Sequence, residues 1–294
     1  MVRAMRAVSW SLEKRIRGIR GAALAEEAPM GASQWTTLLQ GWGASVLVLQ
    51  ALWFVQRRHK DAGLADVGWA GSLAALAIWY AVVGEGSGAQ RLLAGIVGGL
   101  WGGRLALHLL FDRCLGKPED GRYAYLREHW GERADVQFLW FFQLQALVAA
   151  LLSVPFLLMA GNPAEALLPV QWFGLALFVL AKGGEVVADR QLARFRARPD
   201  SRGRTCREGL WRYSRHPNYF FEWLVWCAFA ALAWPAPGGP WALAMPVLMY
   251  VLITKVSGIP YTEAQALRSR GEDYRRYQRT TSPLIPWFPR EEHA

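Results

Sequence analysis

The chain has 294 residues, 53% of them apolar and 19% charged, with 16 tryptophans and a formal charge of +10. Its apolar residues are clustered in long blocks, which excludes a disordered chain and points to a membrane protein rather than a soluble helical core. Cys114, Cys206 and Cys227 lack metal-ligand spacing and read as free thiols, and the five histidines form no His-Glu-x-x-His pattern, so no metal site is expected.

Residues 1–34 carry Arg3, Arg6, Lys14, Arg15, Arg17 and Arg20 and read as a basic extension, not a secretory signal. A surface-lying helix and an upstream extension before a second start at Met30 are both open. Residues 35–294 read as a single all-α membrane domain. Apolar windows able to cross about 30 Å of hydrocarbon fall at 35–55, 64–84, 89–111, 136–160, 167–188, 219–236 and 240–260, which predicts seven transmembrane helices.

Basic residues gather in alternate connections. Arg57, Arg58 and Lys60 follow the first window, five more Lys or Arg lie in 112–133, nine arginines in 189–218 and six in the tail from 261. The connections near 85–90, 161–166 and 236–240 hold none. This asymmetry predicts cytoplasmic basic loops and C-terminus and an outward N-terminus, although the basic 1–34 segment opposes that orientation. Basic charge concentrated in the loops between spans also argues against a nucleic-acid partner.

Gly95, Gly98, Gly99, Gly102 and Gly103 do not make a dinucleotide fingerprint, because they lie inside a spanning helix. Gly95, Gly99 and Gly103, four apart, predict close helix packing. Charged residues inside spans are costly and mark functional surfaces. Trp101, Arg104, His108 and Asp112 share one face of the third span; Lys182, Glu185 and Asp189 share one on the fifth; Asn218, Glu222 and Trp226 open the sixth. Three such stripes predict one polar cavity open to the cytoplasm. Arg113, Arg196, Arg204 and Arg215 at its wall suit a polyanion such as a nucleotide cofactor, with anionic lipid headgroups as the alternative.

Gly209-Leu-Trp-Arg-Tyr-Ser-Arg-His-Pro-Asn-Tyr-Phe-Phe-Glu222, with Glu185-Val-Val-Ala-Asp189 before it and Gly271-Glu-Asp-Tyr274 and Pro283-Leu-Ile-Pro286 after it, resembles the steroid 5-alpha-reductase family in its bacterial branch. The likeness covers about residues 60–290. It implies a cytoplasm-facing NADPH site in which Arg196 and Arg204 bind phosphates, Asp189 and Asn218 hold polar groups, and Glu222 and Trp226 line the nicotinamide end. It further implies contacts from Arg104, His108, Asp112, Arg113, Glu185, Tyr213, Arg215, His216 and Tyr219. Glu263 stands where family members place a histidine.

The reaction implied is reduction of the C4–C5 double bond of a 3-oxo-4-ene steroid or similar lipophilic enone entering a monomer from the bilayer lipids. The family uses a carboxylic acid on the second span and a tyrosine on the third to polarise the ketone; here Asp66 and Trp101 occupy those places. An apolar helix around Asp66 disfavours its ionised form, so a neutral carboxyl is the expected donor, with a helix–helix hydrogen bond or an ion pair to Arg104 as the structural alternative. Gln143 and Gln145 on the fourth span are further polar candidates. The Arg-His-Pro element also occurs in isoprenylcysteine carboxyl methyltransferases and sterol reductases. S-adenosylmethionine-dependent methyl transfer is therefore the alternative chemistry, and a transporter or lipid-binding protein the non-catalytic one.

Overall fold

Gly31 opens the first helix, α1 (Ala32–His59), by donating its N–H to Gln34 Oε1 at 3.0 Å. The helix ends in Arg57, Arg58 and His59, the two arginine charges opposing the negative end of its dipole, and Lys60 then turns left-handed at φ +56°. This computed structural model describes residues 30–291, so the arginines and lysine of the basic extension, Arg3 to Arg20, lie outside the described residues. Helix α2 (Leu64–Val83) follows a turn in which Gly63 N–H donates to Asp61 Oδ1. Helix α3 (Gly88–Leu109) is capped by Ser87 Oγ and widens into a π-helical turn at Leu110–Cys114.

Asp120 caps the short α4 (Gly121–Trp130), which leads to α5 (Ala134–Leu152) and α6 (Val154–Ala160). The last two divide one apolar window at Ser153, where Pro155 cannot continue the backbone ladder; the Ser153 hydroxyl donates to Ala150 O and meets Tyr80 Oη. Helix α7 (Pro169–Arg196) is the longest of the C-terminal half. It is followed by α8 (Pro217–Ala233), α9 (Ala244–Val251), α10 (Ile259–Arg270) and α11 (Glu272–Thr280). A second π-helical turn, Leu252–Val256, closes α9.

The fold is all-helical and of the multi-pass membrane class. Six stretches are long and apolar enough to cross a membrane: Ala32–His59, Leu64–Val83, Gly88–Cys114, Gly121–Ala160, Pro169–Arg196 and Gly239–Arg270. The sixth expected span, 219–236, appears as α8, whose 17 residues rise only about 25 Å against roughly 30 Å of hydrocarbon. Seven spans therefore become six plus one shorter apolar helix among the described residues.

The described residues divide into two compact units, 30–168 with 233–242, and 169–232 with 243–291. In the first, α2 and α3 pack through glycines: a methyl on Gly98 would lie 2.5 Å from Ala77 Cβ, and one on Gly102 would lie 2.9 Å from Ala74 N. Gly95 and Gly99 face Ala81 and Ile78. Gly103, expected in the same seam, has nothing within 4 Å of its missing Cβ, so the seam follows Gly95, Gly98, Gly99 and Gly102. Leu49, Trp53, Phe138 and Phe142 form the core beside it. In the second unit, α7 and α8 meet at Gly174 against Leu232 and Gly184 against Phe221, with Phe178 and Phe229 rings 5.7 Å apart.

Candidate functional site

Because α7 and α8 pack face to face at small residues, their polar side chains come together in a continuous stripe. At its loop end Asn218 Nδ2 donates to Asp189 Oδ1 at 3.2 Å. Two turns further along α7, Lys182 forms an ion pair with Glu185, and its Nζ is 3.9 Å from Glu222 Oε2 on α8. The three charged side chains are between 17% and 21% exposed, so they are held largely out of water within two apolar helices. Trp226, one turn beyond Glu222, is fully buried with its ring edge-on to Phe229 at 5.3 Å. Of the residues expected to share a stripe in this unit, Glu185, Asp189, Asn218 and Glu222 are brought together, and Trp226 is part of the packed core.

The loop before α8 is clasped by the C-terminal segment. Trp211 Nε1 donates to Ala188 O, and Leu210 N–H to Gln191 Oε1, tying the loop to α7. Ser214 forms a parallel bridge with Ser282 and donates its hydroxyl to Leu284 O at 2.7 Å, while Trp287 N–H donates to Tyr213 O. Tyr277 Oη donates to the carbonyls of Trp211 and Ser214. The four sequence motifs, far apart in the chain, thus meet in one unit.

At the centre is Glu263, in α10. It accepts from Arg215 Nε at 2.6 Å, Gln278 Nε2 at 2.7 Å and Tyr274 Oη at 3.3 Å, and lies 3.2 Å from His216 Nε2. Arg215 also donates to the carbonyls of Gln278 and Thr281. Burial lowers the His216 pKa from its ordinary value, against an opposing pull from Glu263. His216 stacks on Tyr219, whose hydroxyl is 3.2 Å from Thr262 Oγ1. Arg215 and His216, expected at a cofactor, are therefore engaged in holding the C-terminal segment. Arg196 and Arg204 are exposed, Arg204 beside Asp200 at 3.4 Å, and Tyr213 is edge-on to Phe288. Glu263 as a hub was hidden in the sequence; the adjacent donors Arg215 and His216 were the signal that a buried carboxylate must face them.

In the first unit, Asp66 is not an isolated carboxyl. Tyr123 Oη donates to its Oδ1 at 2.8 Å and Arg122 Nη2 to its Oδ2 at 3.1 Å. Its ion-pair partner is thus Arg122 on α4 rather than Arg104, and both of its oxygens act as acceptors, where a neutral donor was expected. Arg122 also bonds Asp120, and nearby Glu119 accepts both Arg127 Nη2 and the Ala62 N–H. Nothing in the sequence pairs residues 56 and 57 positions apart, so Arg122 and Tyr123 were missed. Trp101 is 3% exposed and edge-on to Trp69 at 6.3 Å. Arg104, His108, Asp112 and Arg113 are exposed, and His108 Nδ1 lies 2.5 Å from Asp112 Oδ2 in the π-helical turn. Gln143 Nε2 donates to Gln50 Oε1, which makes it a helix–helix link.

An all-helical membrane protein with a polar stripe between apolar helices and a motif loop secured by its C-terminal segment is the class these features define. Residues 52–281 match the family described as a protein of unknown function, DUF1295, and the chain belongs to that family. No curated protein and no solved structure matches the chain.

Proposed function

We propose that the protein is an NADPH-dependent reductase of lipophilic enones, of which 3-oxo-4-ene steroids are the representative class. The observation that carries this reading is the α7–α8 stripe, where donors and acceptors descend from the Asp189–Asn218 pair to Lys182, Glu185 and Glu222. Membership of DUF1295, a family associated with steroid 5-alpha-reductase-like proteins, supports it.

The donor set fits a dinucleotide. Arg196 lies within electrostatic reach of Arg270, whose guanidinium rests over the Tyr274 ring at 5.0 Å. Two neighbouring guanidinium groups repel, and a phosphate bound by both removes that repulsion. Arg196 and Arg204 would hold phosphates, Asp189 and Asn218 sugar or amide groups, and Lys182, Glu185 and Glu222 the polar edge of a nicotinamide. NADPH, when bound, supplies the hydride. The ketone oxygen gains negative charge as the double bond is reduced, and the chain must meet it with a proton-bearing group. In the first unit the Tyr123 hydroxyl would be that group, giving its proton to the ketone oxygen as the hydride adds to the beta carbon, with Asp66 and Arg122 orienting it and Trp101 packed nearby.

Titration of the full chain in detergent with NADPH, NADH and S-adenosylmethionine tests the reading. NADPH binds in preference to NADH, and Arg196→Ala loses about tenfold or more of that preference. Tight S-adenosylmethionine binding with none for NADPH rejects the reductase and selects methyl transfer. Asp66→Leu abolishes turnover of a 4-ene-3-ketosteroid with NADPH binding kept, and Asp66→Asn, which retains the side-chain shape, separates loss of chemistry from loss of fold. Unchanged turnover in both removes Asp66 from the mechanism.

A further inference from the structure

The C-terminal segment carries an apolar surface that lies outside the six membrane-crossing stretches. Ile285 is 51% exposed, Trp287 70% and Phe288 75%. These side chains do not belong to a loose tail. The backbone is pinned on both sides of them: Ser214 donates its hydroxyl to Leu284 O, Trp287 donates its N–H to Tyr213 O at 2.9 Å, and Arg290 donates its N–H to Thr280 O at 2.8 Å. Pro283, Pro286 and Pro289 restrict φ at every third position. Leu284 turns inward and is buried, while its larger neighbours turn out. A fixed frame that holds a tryptophan and a phenylalanine outward calls for an apolar neighbour.

Position identifies that neighbour. Trp287 is tied to Tyr213, four residues before α8 begins at Pro217, and Phe288 lies edge-on to the Tyr213 ring at 6.1 Å. With 17 residues α8 falls about 5 Å short of the hydrocarbon thickness, so the residues that precede it are drawn to the boundary between headgroups and acyl chains. Tyrosine and tryptophan favour that boundary, because the ring enters the acyl chains while its polar atom stays hydrated. Charge points the same way. Arg212, next to Tyr213, and Arg290, just beyond Phe288 and Pro289, are both exposed and suit the phosphates of a lipid surface. A second copy of the chain docked on this patch would bring a second pair of arginines to it, and like charges would meet.

We infer that residues 283–289 are an interfacial anchor: Ile285, Trp287 and Phe288 enter the headgroup–acyl boundary of the bilayer that the chain spans, and Arg212 and Arg290 rest on anionic lipid phosphates. Lipid contact thereby helps to seat the C-terminal segment on the loop before α8. The anchor does not depend on the reductase reading.

The test places the photoactivatable residue p-benzoylphenylalanine at position 288 of the full chain, in liposomes of phosphatidylcholine with phosphatidylglycerol. The site is exposed, so the fold tolerates the change. After illumination, intact mass shows chains carrying one phospholipid. The same residue at Asp200 is the control, because α7 is about 42 Å long and carries the turn after it well beyond the hydrocarbon. Lipid adducts at 288 exceed those at 200 by about tenfold or more. Phosphatidylglycerol is enriched about twofold among the adducts at 288, and Arg212→Gln with Arg290→Gln removes the enrichment. Placing the probe at Ile285 gives lipid adducts as well. A cross-linked dimer in place of lipid adducts assigns the patch to a second copy and overturns the proposal, as do adducts no more frequent at 288 than at 200. Adducts without phosphatidylglycerol enrichment overturn the arginine–phosphate contact.

Discussion

Glu263 shows how one carboxylate can organise a loop. It is matched by Arg215, His216, Tyr274 and Gln278, so removing its charge leaves Arg215 largely buried without a counterion. Glu263→Gln is expected to lower stability by roughly 2–4 kcal/mol, read as a fall in Tm in detergent. His216 gives the same cluster a pH dependence. Its folded pKa is depressed below the ordinary 6.5, so the unfolded chain binds more protons as pH falls through that value. The stability His216 contributes is complete above about pH 6.5 and declines below it. Tm measured between pH 7.5 and 5.5 should fall on the acid side, and His216→Gln should flatten the decline. At this scale the sequence disclosed which residues were unusual but not their partners. Arg215, His216 and Asp66 stood out as charged or polar groups near apolar segments, and their meaning changed once Glu263, Arg122 and Tyr123 were found opposite them.

Among the elements, the α2–α3 seam was legible from glycine spacing because close helix approach requires small residues, but its exact line was not. Helical phase alone could not tell Gly102 from Gly103. The structure separates them: a methyl on Gly102 would press on the backbone at Ala74 N and Ala70 O, which cannot rotate away, while one on Gly103 meets nothing. Gly102→Ala should destabilise by about 1–3 kcal/mol, and Gly103→Ala should be neutral or slightly stabilising through helix propensity. Thermal unfolding of the two variants side by side checks this, and equal losses would contradict the packing. Span positions were likewise readable from hydropathy, whereas the break at Ser153 and the short reach of α8 depend on backbone details that an apolar window averages out.

For the molecule as a whole, class was visible in the sequence because length and apolarity of the segments are sufficient to specify it. The division into two units was not, since no linker composition marks it. Within the second unit, the assembly of Glu185 to Asp189, Gly209 to Glu222, Gly271 to Tyr274 and Pro283 to Pro286 gives the scattered motifs a common physical purpose: each supplies a hydrogen bond that fixes the loop before α8. This clasp also sets an order of events during synthesis. Ser214, Arg215 and His216 leave the ribosome about seventy residues before Trp287, so the loop can enter the membrane environment early yet must wait for translation to approach its end before it is locked. A ribosome stalled ahead of residue 263 should therefore display the 209–216 segment open to protease, and release through residue 287 should protect it.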